Sequence, residues 1–276
     1  MDFRVAFQPS SWSKQNPQEV PQTFEDFLEE WRQDGIPRGR RNVLAVSIQA
    51  PLRSRWPEVC RSVMSVVSAY FGLPVRLSDL QLENLQKDPV RQNQVESRTI
   101  VKGLLSDRRS EDFAAIAIIT KDLCPSDQGN YVFGECIMEE SWCIVSSHRL
   151  LENDCGPDSA QELRFFKIVT HEIAHLVGLP HCVNFQCNMN GKNCLAEVDE
   201  DPFDLCPECT MKICFACNFE VDERAARLQN IMLALGLVSE ADYFRNVANA
   251  TSRKALAGEQ FVSTIRTRLT KKVETK

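Results

Sequence analysis

Residues 171–181 read HEIAHLVGLPH and hold three of the four histidines in a chain of 276 residues. On an α-helix, positions four apart are turned by about 400° and lie about 6 Å apart along the axis. His171 and His175 can therefore present their imidazoles to one point. Glu172, turned by about 100° from His171, reaches a water on an ion at that point without binding the ion itself. Gly178 permits a left-handed exit from the helix, which brings His181 back as a third ligand from another direction. Three neutral imidazoles suit a zinc ion and leave its fourth position to water. Zinc lowers the pKa of that water from 15.7 toward about 7, and Glu172 can take the proton. The hydroxide then attacks a carbonyl polarised by the same ion, and Glu172 passes the proton to the leaving amine. A bare HExxH is a weak signal; the added glycine and third histidine at fixed offsets make it a strong one.

A second group of metal-binding residue types follows at once. Seven of the twelve cysteines fall between Cys182 and Cys217. The chain runs on from His181 as HCVNFQCNM, and sixteen residues later as CPEC. Two close pairs, Cys182 with Cys187 and Cys206 with Cys209, suit a closed tetrahedral structural zinc. This loop-rich segment has few apolar residues to bury, so a metal would supply its folding free energy. A further pair, Cys214 and Cys217, offers another ligand set with Cys206 and Cys209, or else two plain buried thiols.

The run HEIAHLVGLPHCVNFQCNM…CPEC resembles the signature of the archaemetzincin family, most specifically over residues 171–209. That resemblance implies a zinc metallopeptidase of the metzincin clan acting on peptide or protein substrates, with two zincs per chain. It places the catalytic zinc on His171, His175 and His181, and a second, non-catalytic zinc on Cys182, Cys187, Cys206 and Cys209. It also implies a methionine floor beneath the catalytic ion at Met189, for which Met211 is the other candidate. The stretch between Met189 and Cys206 is one residue shorter than the family's pattern. Metzincins bind substrate along an edge strand, a role that falls near Tyr131–Ile137 or near Trp142–Ser147. For stabilising an oxyanion the chain offers Tyr70, Tyr131, Tyr243 and His148, with Tyr131 and His148 the first candidates beside a structural role for each.

These residues need a scaffold. A helix from about Ser159 to Val177 carries the first two histidines, with Ser159 and Glu162 as a capping box and Gly178 and Pro180 as terminators. Strands are expected at Val43–Gln49, Val75–Leu80 and Phe113–Thr120, with shorter ones near Tyr131–Phe133 and Trp142–Ser146. Val59, Val63, Val66, Val67 and Tyr70 mark an amphipathic helix ending at Gly72, and another helix spans about Gln94 to Leu105. Residues 120–135 read as a loop, and residues 182–219 show little periodicity. Helical patterns follow at about 221–235, 240–248 and 254–269.

The expected architecture is an α/β (α+β) metzincin-like single catalytic domain over residues 42–276. It combines a mixed twisted sheet, the active-site helix, the cysteine-rich zinc-stapled segment at 182–217 and C-terminal helices over 221–269. Residues 1–41 form a partly ordered N-terminal extension with a short helix from Phe24 to Trp31.

Composition bounds the alternatives. A net charge of −6 and a pI near 5.4 argue against nucleic acid, as does the acidic run Glu197, Asp199, Glu200, Asp201 and Asp204. No stretch reaches the roughly 20 apolar residues of a membrane span, and the polar first twenty residues cannot serve as a secretory signal core. The expectation is a monomer in the cytoplasm or nucleus, where thiols stay reduced. Against an active peptidase stand a catalytically inactive two-zinc protein-binding scaffold and a zinc-ribbon-like module. Glu172 disfavours the scaffold, because a purely structural site needs no base.

Overall fold

The computed structural model describes residues 9–34, 43–49, 56–80, 94–104, 112–125, 130–151 and 159–256. Its centre is a five-stranded mixed sheet in the order β2-β1-β4-β7-β6. These strands are β1 (Val43–Gln49), β2 (Val75–Leu80), β4 (Asp112–Ile119), β6 (Gly134–Ile137) and β7 (Trp142–Ser146). The first four in that order run parallel, with Leu44 opposite Val75 and Ile118 opposite Val145. β6 alone is antiparallel and forms one edge.

The near-continuous apolar run of β4 is explained by burial on both faces. Ala114, Ile116 and Ile118 join the larger core, with Cys143 and Val145 of β7 beside them. Ala115, Ala117 and Ile119 point the other way, into a smaller core with Trp142, Ile144 and Ile137. Two helices cover the larger face: α3 (Trp56–Phe71) through Val59, Val63, Val66, Val67 and Tyr70, and α5 (Ser159–Leu176) through Phe165, Phe166, Ile168, Val169 and Ile173. Gly72, at φ 67°, ends α3 in the left-handed conformation.

Local pattern and structure part company in several places, one of them the expected loop at 120–135, which contains a strand. Gln94–Glu96 is a short strand, β3, parallel to β5 (Asp122–Cys124), and the helix α4 (Ser97–Leu104) starts three residues later than the pattern suggests. The Gln94 side chain donates to Asp122 and to the Asn130 carbonyl, so long-range pairing takes those residues from the helix. The strand expected near Tyr131–Phe133 instead begins at Gly134, Val132 making only an isolated bridge to Leu123. Two helices, α6 (Leu195–Glu200) and α7 (Pro207–Cys217), occupy the segment that showed little periodicity. Proline at the first position and the Cys206 thiol accepting from the Cys209 amide start α7.

After α8 (Val221–Ala234), a tight turn at Gly236 leads into α9 (Val238–Leu256), which runs unbroken through residues 249–253 where the pattern left a gap. Two further helices precede the sheet, α1 (Ser11–Gln15) and α2 (Phe24–Asp34), and Phe27 of α2 is buried in the core. No helix among the described residues is long and apolar enough to cross a membrane. The expected helix beyond Leu256, residues 1–8 and 35–42, the Cys60 side chain and Cys155 lie outside the described residues.

Candidate active site

Helix α5 carries His171, Glu172 and His175 on its last turn and a half. Gly178 follows at φ 97°, with the Leu179 amide donating back to the Ala174 carbonyl, 3.1 Å. That left-handed exit swings His181 toward the two helical histidines, its ring centroid 5.5 Å from that of His171 and 5.1 Å from that of His175. One ligand nitrogen from each of the three lies within 4.8 Å of the others.

Hydrogen bonds fix the tautomers. The Nδ1–H of His171 donates to the Asn188 carbonyl at 2.7 Å, and that of His175 to the Leu179 carbonyl at 2.6 Å. Both Nε2 atoms are left as bare acceptors, and they face each other at 3.1 Å. Two lone pairs so placed repel unless a cation lies between them. Two nitrogens on one tetrahedral zinc, with bonds of about 2.0–2.1 Å, stand about 3.3–3.4 Å apart, so the donor set fits a zinc ion. Burial keeps the histidines uncharged, as ligands must be. It holds His171 well below the ordinary imidazole range and His175 down to about 3. His181 is lowered too, against the pull of Glu19.

Glu172 projects from α5 toward the edge strand β6. Its carboxyl group is buried against Gly134, where a Cβ would stand only 2.7 Å from its Cγ and 2.8 Å from its Oε1. Burial pushes this carboxyl up to about 8; Lys192 opposes the shift and Glu135 adds to it. Lys192 lies under His171 with its side chain only 2% exposed, paired at 3.4 Å with Asp201, itself 3% exposed. The ammonium also donates to the carbonyls of Asn188 and Asn190, so it braces the acceptor that orients His171. Asn188 is pinned further by its amide donating to Thr170 Oγ1 at 2.9 Å and to the Lys167 carbonyl at 3.1 Å.

Directly beyond His181, the structure collects Cys182, Cys187, Cys206 and Cys209, with all four sulfurs buried and within 4.8 Å of one another. Cys182 Sγ and Cys206 Sγ are 3.9 Å apart, near the roughly 3.8 Å edge of a tetrahedron with zinc–sulfur bonds of about 2.3 Å. Backbone amides of Met189 and Cys206 point at Cys187 Sγ, and that of Cys209 at Cys206 Sγ. Amides aimed at sulfur stabilise thiolates. Hydrogen bonds from its three neighbours hold Cys182 well below the usual thiol range, while burial pushes Cys187 well up. Without a cation such a cage keeps protons; with one it is a complete four-thiolate ligand set.

The remaining candidates fall elsewhere. Cys214 packs with Phe219, where burial pushes its thiol up to about 12, and neither it nor Cys217 joins the four-cysteine group. Met189 is fully buried, with its carbonyl accepting from the Cys182 amide at 2.8 Å, whereas Met211 sits half-buried on α7. The Tyr131 hydroxyl donates to the Asn193 carbonyl, 2.9 Å, and His148 is exposed after β7. Tyr70 and Tyr243 are committed to the Phe203 carbonyl and to Asp204. Of the two candidate edge strands, β7 is paired on both sides and β6 on one.

Sequence reasoning did not reach Lys192, Asp201, Gly134 and Glu19. A lysine, an aspartate or a glutamate in a polar loop reads as solvated, and a lone glycine before a short strand carries no signal.

Comparison with known proteins places these residues in context. Peptidase family M54 matches residues 108–214, a span from just before β4 to within α7. Archaemetzincin-2 of Homo sapiens is 30% identical over 254 residues, covering 78% of this chain and 70% of that protein. Archaemetzincin of Thermococcus kodakarensis is 35% identical over 109 residues, 38% of this chain and 58% of the relative. The crystal structure of archaemetzincin from Methanopyrus kandleri superposes with a TM-score of 0.56 at 25% identity, covering 66% of this chain and 99% of that one. A zinc-dependent peptidase from Methanocorpusculum labreanum gives 0.52 at 26% identity over 62% of this chain and 99% of its own.

Proposed function

This chain belongs to the archaemetzincin family of zinc metallopeptidases, and from that premise we propose how its own residues cut a peptide bond. His171, His175 and His181 would hold the catalytic zinc; Cys182, Cys187, Cys206 and Cys209 would hold a second one with a structural role. A zinc ion held by the three histidines would supply Lewis acidity, to acidify a water and polarise the scissile carbonyl.

Glu172 is the base. Its carboxylate accepts a proton from the attacking water, whose oxygen bonds to the carbonyl carbon. It then delivers that proton to the amide nitrogen as the carbon–nitrogen bond breaks, so acid and amine leave and the carboxylate is regenerated. Burial makes Glu172 a stronger base than an exposed carboxylate, and a cation beside it favours the ionised form. The carboxyl is held in place by its packing on Gly134. The outer side of β6, next to Gly134 and paired with no other strand among the described residues, offers main-chain groups to an extended peptide.

The observation that carries this reading is the pair of Nε2 atoms facing each other at 3.1 Å with both Nδ1 protons already committed. Metal analysis of the purified protein should find two zincs per chain. Glu172→Ala should keep both and lose about 10²- to 10⁴-fold in peptide hydrolysis. Equal cleavage by variant and wild type would overturn the role of Glu172. Two zincs without cleavage by either would leave a metal-stapled binding scaffold.

A further inference from the structure

Each of the three histidines has a distinct partner for its outer ring nitrogen. For His171 and His175 it is a main-chain carbonyl at 2.7 and 2.6 Å. For His181, the least buried of the three at 33% side-chain exposure, it is the Glu19 carboxylate, Oε1 standing 3.6 Å from Nδ1. Glu19 belongs to a strap, residues 9–23, that docks on the loop carrying the third histidine. Trp12 meets the His181 ring edge-on with centroids 5.0 Å apart. The indole lies so close over Gly191 that a Cβ there would come within 2.3 Å of it. Ser13 Oγ accepts from the Asn190 side chain at 3.5 Å, and that same side chain accepts from the Cys187 amide at 2.8 Å. Gln22 donates to the Gly178 carbonyl at 3.3 Å. The strap thus touches the loop at Gly178, before the third histidine, and at Asn190 and Gly191, after it.

We propose that this N-terminal strap is a positioning element for the third metal ligand, with Glu19 taking the Nδ1–H of His181 and Trp12 buttressing the ring. The inference rests on the assignment of His181 as a zinc ligand. A neutral imidazole carries one proton; placing it on Nδ1 toward a carboxylate leaves the Nε2 lone pair for the ion and raises its basicity. The other two histidines get this service from carbonyls within their own helix turn and the following loop. His181 is half-buried beyond the helix end, and the strap supplies an acceptor for it from far away in the chain. At 3.6 Å the neutral ring and the carboxylate are in contact but just beyond hydrogen-bond distance. Both side chains are about one-third exposed, so neither is locked by packing at this separation.

The test uses the full chain loaded with zinc, titrated with a chromophoric chelator that reports the two ions separately, and the same protein with cobalt in the histidine site. Glu19→Ala should weaken the histidine-held zinc about 10- to 100-fold, with the cysteine-held zinc and the far-ultraviolet circular dichroism unchanged. The cobalt absorption of the histidine site should shift. Glu19→Gln, which keeps an acceptor without the charge, should recover part of both. Gly191→Ala, which drives a methyl group into Trp12, should reproduce the loss by lifting the strap from the other side. A wild type with two zincs whose release matches that of Glu19→Ala overturns the strap's role alone. A wild type that holds zinc only at the cysteines overturns the histidine site and this inference with it. Tighter zinc or faster hydrolysis after Glu19→Ala would mark the strap as inhibitory and also overturn the proposal.

Discussion

Glu172 is held by what is missing from its neighbour. Gly134 lacks the Cβ that would stand 2.7 Å from the Glu172 side chain, so the carboxyl group packs directly on the backbone of β6. Gly134→Ala should therefore displace this carboxyl group while leaving the three histidines and four cysteines alone. A misplacement near 1 Å costs about 100-fold in rate. The expected outcome is a fall of that order in kcat with two zincs retained, checked by steady-state kinetics alongside metal analysis. Histidine and glutamate positions were legible in the sequence because helical geometry is local: four residues apart is nearly one turn. Gly134 and Glu19 were not, since each meets its partner only through tertiary folding. Lys192 was hidden for another reason. Its contacts with Asn188 and Asn190 are local, but nothing in a polar loop announces that the loop is buried.

At the scale of elements, long periodic segments were readable and short ones were not. α3, β4 and α5 each bury a continuous face, and that face is written in their apolar spacing. β3 and β5 are three residues each and exist because they pair with one another. Their anchor is Asp122, whose carboxylate accepts from Arg149 at 2.8 and 2.7 Å and from Gln94 at 3.0 Å. Burial works against ionisation there, but those hydrogen bonds outweigh it and hold the carboxyl below its ordinary value. A depressed folded-state pKa stabilises the fold above the unfolded value of about 3.9 and ceases to do so as pH falls through the folded value. Arg149→Met should thus lower the urea midpoint at pH 7, and the gap from wild type should close as pH falls through 4 toward 3. A gap independent of pH would show that Arg149 acts by packing on the Tyr131 ring, over which its guanidinium sits at 3.8 Å.

Over the whole molecule, the cysteine cage and the histidine site are joined by one peptide bond, between His181 and Cys182. The cage also anchors the Asn188 region, because the Asn188 amide donates to the Asp204 carbonyl at 3.1 Å. Asp204 in turn binds Arg224 of α8 at 2.7 Å and Tyr243 of α9 at 3.1 Å, tying the C-terminal helices to the metal loop. The coupling is reciprocal in free energy, but losing the cysteine site should cost more than losing the histidine site. Cys206→Ser should lose both zincs and lower the thermal midpoint, since a four-cysteine zinc contributes about 10–16 kcal/mol of apparent binding free energy to the ordering of its segment. His171→Ala should lose one zinc and lower the midpoint by less, through the loss of that ion's binding alone. Metal content and thermal unfolding of the two variants check this; a Cys206→Ser protein that keeps its histidine-held zinc would show the sites to be independent. The single mixed α/β domain followed the expected alternation of strands and helices. The packing of α7 did not, because its start depends on a thiol cap and a proline rather than on an apolar stripe.

Polarity is built into the sheet as well. β6 is the one strand that runs against its neighbours. A guest strand laid antiparallel along its outer side would travel in the same sense as β1, β2, β4 and β7, as though continuing the grain of the central layer. Antiparallel ladders bond slightly better per residue than parallel ones, so the backbone alone favours one reading direction of a guest chain, before any side-chain pocket is consulted. A retro-sequence peptide, carrying the same side chains in reverse order, would have to give up either that ladder or its side-chain register.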